Sequence, residues 1–292
     1  MIINVDETIA SSFRQNLARA ASTRQPLRAV GATSAAAARV AAEAGFDALW
    51  VSGLEVSTAL GVPDENVLGP RDLADVVVAL GRTVPLPVIV DVDNAGGAAA
   101  TARRFAGDLT RAGAAALCLE DSAYPKCNSF SVHRSQRLAP VELLCDQLAA
   151  MRGAAGPDTL LIARTEALIC GGSLAEALER ASVYAAAGAD AVLVHSKDST
   201  GAQALGTAAA WAEPVPLVTV PTAFPQLGLQ QLGQAGFALA IYANQLSRAA
   251  LAAMRMAADA FRATGSFTGP GVDLADVGDL LRVADPAARA CL

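Results

Sequence analysis

Short, continuous apolar runs alternate with longer Ala-rich stretches of helical spacing along most of this chain. One local phrase recurs: an Ala-rich stretch, then Ala-Gly, two residues and a short apolar run. It occurs at AGFDALWVS (44–52), AGAAALCLE (112–120), AGADAVLVH (187–195) and AGFALAIYA (235–243). A helix ended by a C-cap glycine and followed at once by a buried strand produces this order. Between these copies lie LRAVGAT (27–33), PLPVIVDVD (85–93), DTLLIART (158–165) and VPLVTVPT (215–222), each a β-rich run opened by proline or a polar turn. The separating segments, such as SAAAARVAAEAG, ALERASVYAAAG and LQQLGQAG, carry helical periodicity. The eight strand candidates are near-continuous apolar runs, as a parallel sheet covered by helices requires. Eight βα units predict an α/β chain folded as a (β/α)8 TIM-type barrel over residues 1–250, with a doubly wound open sheet as the competitor. Residues 251–292, with LAAMRMAADAFRAT, a Gly/Pro break and DLADVGDLLRVADPAARA, are surplus to that barrel. They predict a C-terminal helical extension packed on the barrel or on a neighbouring subunit.

Composition narrows the class. At 292 residues, 53% hydrophobic and 17% charged, the chain can bury one large core. Its net charge of −6, without a Lys/Arg cluster, gives no footprint for nucleic acid, so a small-molecule partner is expected. The N-terminus has early acids and no apolar signal core, and no uninterrupted 18-residue apolar run occurs, so neither export nor a membrane is expected. The five cysteines are odd in number and lack a C-x-x-C pair, which suggests neither a disulfide framework nor a zinc site. A cytoplasmic location follows as the expectation.

Barrel enzymes keep their chemistry at the C-terminal strand ends. Here those ends read Thr33, Ser52-Gly53-Leu54, Asp91 and Asp93, Glu120 and Asp121, Arg164 and Glu166, His195 and Ser196, Thr222 and Asn244. Asp91, Asp93 and Glu120 on neighbouring strands offer the oxygen ligands that suit Mg²⁺. Ion pairs with Arg164 and Lys126 are the alternative use of the same acids. A guanidinium at Arg164, with His195 beside it, suits capture of carboxylate or phosphoryl oxygens. The Ser52-Gly53-Leu54 backbone would present consecutive N–H groups to an anion. Together these parts describe a metal-assisted site for a small dianion.

The runs WVSGLEVS, GVPDENVL, EDSAYPKCNSF, IARTEALICGG and GADAVLVHSK resemble phosphoenolpyruvate mutase, within the isocitrate lyase/phosphoenolpyruvate mutase superfamily, over roughly residues 27 to 250. The resemblance implies interconversion of phosphoenolpyruvate and phosphonopyruvate. It implies that Asp91 holds Mg²⁺, with Asp93 and Glu120 reaching the ion largely through water. Ser52, Gly53 and Leu54 would grip the pyruvate portion; Arg164, His195, Asn128 and Ser129 would hold the phosphoryl group. Asp64 matches the family's catalytic aspartate and Lys126 its gating-loop lysine, making EDSAYPKCNSF a loop that closes over substrate. The family also implies a dimer or tetramer with the last helix exchanged between subunits.

Three other activities compete. A carbon–carbon lyase of the isocitrate lyase or methylisocitrate lyase type would need a loop cysteine, but Cys127 stands one residue early and no Gly-His follows. Phosphonopyruvate hydrolase lacks the Asn-Ser pair that this chain keeps at Asn128-Ser129. A non-enzymatic barrel scaffold is the third. The chain departs from the mutase pattern at four rim positions. Asp93-Asn94-Ala95-Gly96-Gly97 replaces Asp-Thr-Gly-Tyr-Gly, Glu120-Asp121-Ser122 replaces Glu-Asp-Lys, Ala243-Asn244-Gln245 replaces Ala-Asn-His, and Thr33-Ser34 replaces a His-Asp or His-Asn. These changes fit either a drifted mutase or one acting on an analogue such as arsenoenolpyruvate.

Overall fold

In the computed structural model, which describes residues 5–131, 135–269 and 271–285, eight parallel strands close into a barrel. They run β1 (Leu27–Gly31), β2 (Ala48–Val51), β3 (Val88–Asp91), β4 (Ala116–Glu120), β5 (Leu160–Thr165), β6 (Ala191–Val194), β7 (Leu217–Thr219) and β8 (Phe237–Tyr242). Pairing of β8 back onto β1, from Leu239 opposite Leu27 to Tyr242 opposite Val30, closes the ring and excludes the open sheet. The outer helices are α2 (Ala35–Glu43), α3 (Gly53–Leu60), α4 (Pro70–Thr83), α5 (Ala99–Ala112), α6 (Val141–Ala155), α7 (Leu174–Ala186), α8 (Ala202–Ala210) and α9 (Leu229–Ala235), preceded by α1 (Val5–Thr23) and followed by α10 (Gln245–Thr264) and α11 (Val277–Ala284). The strands are shorter than their apolar runs. VPLVTVPT yields only Leu217–Thr219, because the flanking Pro216 and Pro221 carry no N–H for a ladder.

Although the runs are apolar throughout, alternate residues face opposite ways. Leu49, Val51, Val88, Val90, Leu117 and Leu119 pack outward under the helices. Trp50, Ile89, Cys118, Ile162 and Leu193 fill the barrel interior. Two residues beyond each interior residue stand Ser52, Asp91, Glu120, Arg164 and His195. The pleat therefore carries the polar strand ends onto the axis at the barrel mouth.

The N-terminal segment, from which no element is predicted, forms the 19-residue α1. Its Ala10, Phe13, Leu17 and Ala20 recur at helical spacing and join the barrel-interior cluster. Arg14 pairs with Asp190 at 2.6 Å and donates to Pro157 O at 2.9 Å, both residues lying just before strands. This helix thus closes the N-terminal end of the barrel, leaving the opposite end for chemistry. At the other terminus α10 runs across residue 250 and buries none of its side chains. Leu251, Met254, Met256 and Phe261 are exposed on it, as are Val277, Leu280 and Leu281 on α11. The remainder of the last predicted helix, including Cys291, lies outside the described residues. No described helix is long and apolar enough to cross a membrane.

Candidate active site

A pocket at the mouth is lined by Ser52, Leu54, Asp64, Asp91, Glu120, Lys126, Asn128, Ser129, Arg164 and His195. The two other predicted site residues lie against it. A Cβ at Gly53 would stand 3.1 Å from Asp93 Oδ1 and 3.5 Å from Asp64 Oδ1, so a side chain here would press on the Asp93 carboxylate. Ser52 caps α3, and the first-turn N–H groups of Gly53 and Leu54 have no acceptor within the helix. The predicted anion-binding backbone is therefore a helix N-terminus, which also favours negative charge.

The 120–131 loop is seated over the pocket. Lys126 Nζ contacts Asp64 Oδ1 at 2.8 Å and pairs with Asp93 Oδ1. Burial alone would lower its pKa, but Asp93, Glu120, Asp64 and Asp91 outweigh burial and hold it well above the usual lysine value. Asn128 Nδ2 donates to Asp64 Oδ2 at 2.6 Å, and Ser129 Oγ donates to Glu166 Oε2 at 2.8 Å. Beneath the loop, a Cβ at Gly97 would come within 2.6 Å of Tyr124 Cβ. Glycine at 97, which the family pattern also has, is what admits the loop so closely.

Arg164 is the hub of the far wall. Its Nε donates to Glu166 Oε1, and its terminal nitrogens lie 3.4 Å from Glu120 Oε2, 3.6 Å from Asp91 Oδ2 and 3.3 Å from Ser129 Oγ. His195 Nδ1 stands 2.7 Å from Glu166 Oε1 and 2.9 Å from Arg164. One nitrogen cannot both donate to the carboxylate and accept from the guanidinium. Donation to Glu166 prevails, because burial raises the Glu166 pKa less than Arg164 and His195 lower it, and the group stays ionised. Burial keeps His195 itself below the usual histidine value despite that carboxylate.

Of the two uses foreseen for the acids, the ion pairs are present. Five buried carboxylates, Asp64, Asp91, Asp93, Glu120 and Glu166, form their ion pairs with two permanent cations, Lys126 and Arg164. Burial, and secondarily neighbouring acids, push Asp93 up to about 7 and Glu120 up to about 8. Such a surplus of oxygen-borne negative charge suits a hard divalent cation. Among the described residues no three acidic, imidazole or thiol groups gather into a cage. A hard divalent cation such as Mg²⁺ would therefore have to keep several waters here and take one or two of the carboxylates directly.

Several functional groups have no role assigned from sequence. Glu166, noted only as a strand-end acid, locks Arg164, His195 and Ser129 together. Asp121 turns away from the pocket and accepts from Glu166 N (2.7 Å), Thr165 Oγ1 (2.8 Å) and Tyr184 Oη (2.8 Å), fixing the end of β5. Trp50 Nε1, Thr222 Oγ1 and Asn244 Oδ1, all from pocket-lining residues, are buried without a hydrogen-bond partner among the described residues. Cys127 also lines the pocket, its Sγ 3.8 Å from Asn128 O. Of the departing residues, Ser34 caps α2 and Gln245 Oε1 accepts from Asn244 N at 3.0 Å.

Residues 15–262 match the model of the family described as phosphoenolpyruvate phosphomutase. The chain is 42% identical to the phosphoenolpyruvate phosphomutase of Streptomyces hygroscopicus, over 77% of this chain and 72% of that one. Its fold is similar to the crystal structure of the phosphoenolpyruvate phosphomutase of Streptomyces platensis subsp. rosaceus, with a TM-score of 0.87 and 35% identity, covering 93% and 94% of the two chains. It is also similar to a phosphonopyruvate hydrolase solved with oxalate and Mg²⁺, at TM-score 0.85 and 33% identity over 95% and 96%. With its barrel and its strand-end residues in the family's order, the chain belongs to the phosphoenolpyruvate phosphomutase family of isomerases.

Proposed function

We propose that the protein interconverts phosphoenolpyruvate and phosphonopyruvate. The observation that carries this reading is the seating of Asn128 and Ser129 over the pocket, at Asp64 on one wall and Glu166 on the other. Breaking the P–O bond of phosphoenolpyruvate leaves a pyruvate enolate and a metaphosphate-like group; bonding phosphorus to C3 restores the C2 carbonyl, with no net gain or loss of protons or electrons. Such a transfer needs positioning and charge more than covalent help. In this reading the α3 N-terminus at Ser52, Gly53 and Leu54 holds the pyruvate portion, and Arg164, His195, Asn128 and Ser129 hold the phosphoryl oxygens. Asp64, gripped by Lys126 and Asn128, faces the transfer path. Asp91 would hold Mg²⁺, with Asp93 and Glu120 acting through its waters, and the ion supplies charge neutralisation to the substrate oxygens. The closed loop excludes water, which would otherwise capture the migrating group.

Hydrolysis of phosphonopyruvate is the second reading, favoured by the similarity to the hydrolase. It differs in one event, the entry of water in place of enolate carbon. The Asn128-Ser129 pair occupies the loop where that entry would occur, so transfer is preferred. Cys127 offers a thiol for a carbon–carbon lyase, but its Sγ lies by the loop carbonyl of Asn128 while Asn128 itself reaches Asp64. Nothing in the pocket separates phosphorus from arsenic, so the arsenic analogue is not part of the proposal. Growth of the enol absorbance when the protein meets phosphonopyruvate and Mg²⁺ tests the reading; its absence would count against it.

We further infer that the 1–250 barrel works in a homodimer or homotetramer, with 251–292 packed on the barrel, where α11 meets α2, or on a second copy. The apolar row of Leu251, Met254 and Phe261, open on α10, supports this. Light scattering on the purified protein reads the mass directly. An acidic enzyme of this kind, whose five cysteines are odd in number and form no C-x-x-C pair, fits the cytoplasm, without nucleic acid or membrane as partner.

A further inference from the structure

Two of the positions at which this chain departs from the mutase pattern touch each other. Asn94 Nδ2 reaches Ser122 O at 3.2 Å and Ser122 Oγ at 3.4 Å. Each also belongs to a longer series. Lys126 N donates to Asn66 Oδ1 (2.6 Å), Asn66 Nδ2 to Asn94 Oδ1 (3.0 Å), Asn94 Nδ2 to Ser122 Oγ, and Ser122 Oγ to Glu120 Oε1 (2.5 Å). The direction of every link is fixed by chemistry. Backbone N–H groups of Lys126 and Gly96 identify the oxygens of Asn66 and Asn94, because a backbone nitrogen only donates. The Asn94 amide nitrogen only donates, so the Ser122 hydroxyl accepts there and turns its own hydrogen to Glu120 Oε1.

We propose that Asn94 and Ser122 are positioning residues that couple the Glu120 carboxylate to closure of the 120–131 loop. Four hydrogen bonds aligned head to tail polarise one another, and this series ends on a carboxylate, where polarisation strengthens it most. It starts at the backbone of the residue whose ammonium bridges Asp64 and Asp93. The middle links are shielded: Asn94 is 1% and Ser122 2% exposed, so bulk water has no access to replace a missing group. The backbone around Asn94 is held for this purpose. Asp93 (φ 51°), Ala95 (φ 47°) and Asn66 (φ 61°) all lie in the left-handed region, where non-glycine residues persist only when surroundings over-determine them. One such restraint is Gln147 Nε2 of α6, which donates to Asn94 O at 2.7 Å. Where the family pattern has a lysine, whose charge would simply offset Glu120, this chain has a hydroxyl that passes orientation on to the loop. The relay's effect on turnover rests on the proposed mutase function, whereas its effect on the loop does not.

Hydrogen exchange at the Lys126 amide in the metal-free, substrate-free protein tests the relay. Ser122 does not touch Lys126, yet Ser122→Ala is expected to speed exchange at Lys126 about 10-fold, and Asn94→Ala to do likewise, through loss of a buried hydrogen bond two links or one link away. Ser122→Thr, which keeps the hydroxyl, should exchange at the wild-type rate. If Ser122→Ala lacks a cooperative melt, Ser122→Cys, of similar size but a weak donor, takes its place. Wild-type exchange at Lys126 in a folded Ala or Cys variant would overturn the proposal, as would a Thr variant as fast as Ala. Coupled exchange in a protein without mutase turnover would support the relay and count against the functional reading alone.

Discussion

Asp64 takes two hydrogen-bonding partners from one loop, Lys126 Nζ on Oδ1 and Asn128 Nδ2 on Oδ2, the latter at 2.6 Å. Both contacts must break for the pocket to open. Replacing Asn128 by Ala removes a charge-assisted hydrogen bond worth about 1.5–3 kcal/mol, which lowers mutase turnover roughly 10- to 150-fold. Water then gains access, so phosphate and pyruvate should rise as a share of product. Steady-state rates and product ratios from phosphonopyruvate check both; an unchanged rate with an unchanged ratio would remove Asn128 from the gate.

Cys127 is a passenger in this account. Its thiol sits beside Asn128 O, and Cys127→Ser should retain turnover within about 2-fold, whereas a lyase that moves a proton through this thiol would lose about 100-fold or more. Release of an acid from a 2-substituted malate by wild type, abolished in the Ser variant, is the contrary result.

The acid-rich mouth calls for a cation. Chelation with excess EDTA should abolish turnover, with recovery on adding Mg²⁺, and Asp91→Ala should lose at least about 100-fold while melting as a folded protein. Full activity in EDTA would show that Lys126 and Arg164 alone balance the carboxylates.

Stability should carry a pH signature from Glu55, away from the loop. This α3 carboxyl accepts from Ser247 Oγ of α10, yet burial outweighs that bond and pushes its pKa up to about 7. Its other oxygen, Oε2, has no hydrogen-bond partner among the described residues. The folded state therefore holds this proton more tightly than the unfolded chain, whose value is near 4.5. Raising the pH through the window from about 4.5 to about 7 costs stability, and the cost is constant above it. Glu55→Gln should gain about 1–3 kcal/mol relative to wild type at pH 8 compared with pH 4.5. Denaturant melts at the two pH values check this; an equal difference at both would contradict it.

The mouth of the barrel was legible in sequence because each apolar run stops at polar residues. Which of these face inward was not, and the pleat settles it: Trp50, Ile89, Cys118, Ile162 and Leu193 inside put Ser52, Asp91, Glu120, Arg164 and His195 inside. Motif likeness then supplied Asp64, Lys126, Asn128 and Ser129, whose loops no periodicity places. What stayed hidden depends on long-range partners. Glu166 shares parity with Arg164, but its hold on Ser129 and His195 joins residues 37 and 29 positions away. Asp121 faces outward to Tyr184, 63 positions on. The helix that carries Phe13 and Leu17 was missed, and nothing local told that it would close the barrel floor.

The most direct measurement is phosphorus-31 NMR of the purified wild-type protein with Mg²⁺ and phosphonopyruvate. Signals of phosphonopyruvate, phosphoenolpyruvate and inorganic phosphate separate in one spectrum. Phosphoenolpyruvate is expected to grow in as the main product, with phosphate minor until Asn128 is removed. Phosphate as the main product of the wild type would show instead that water wins at this pocket and that the protein is a hydrolase.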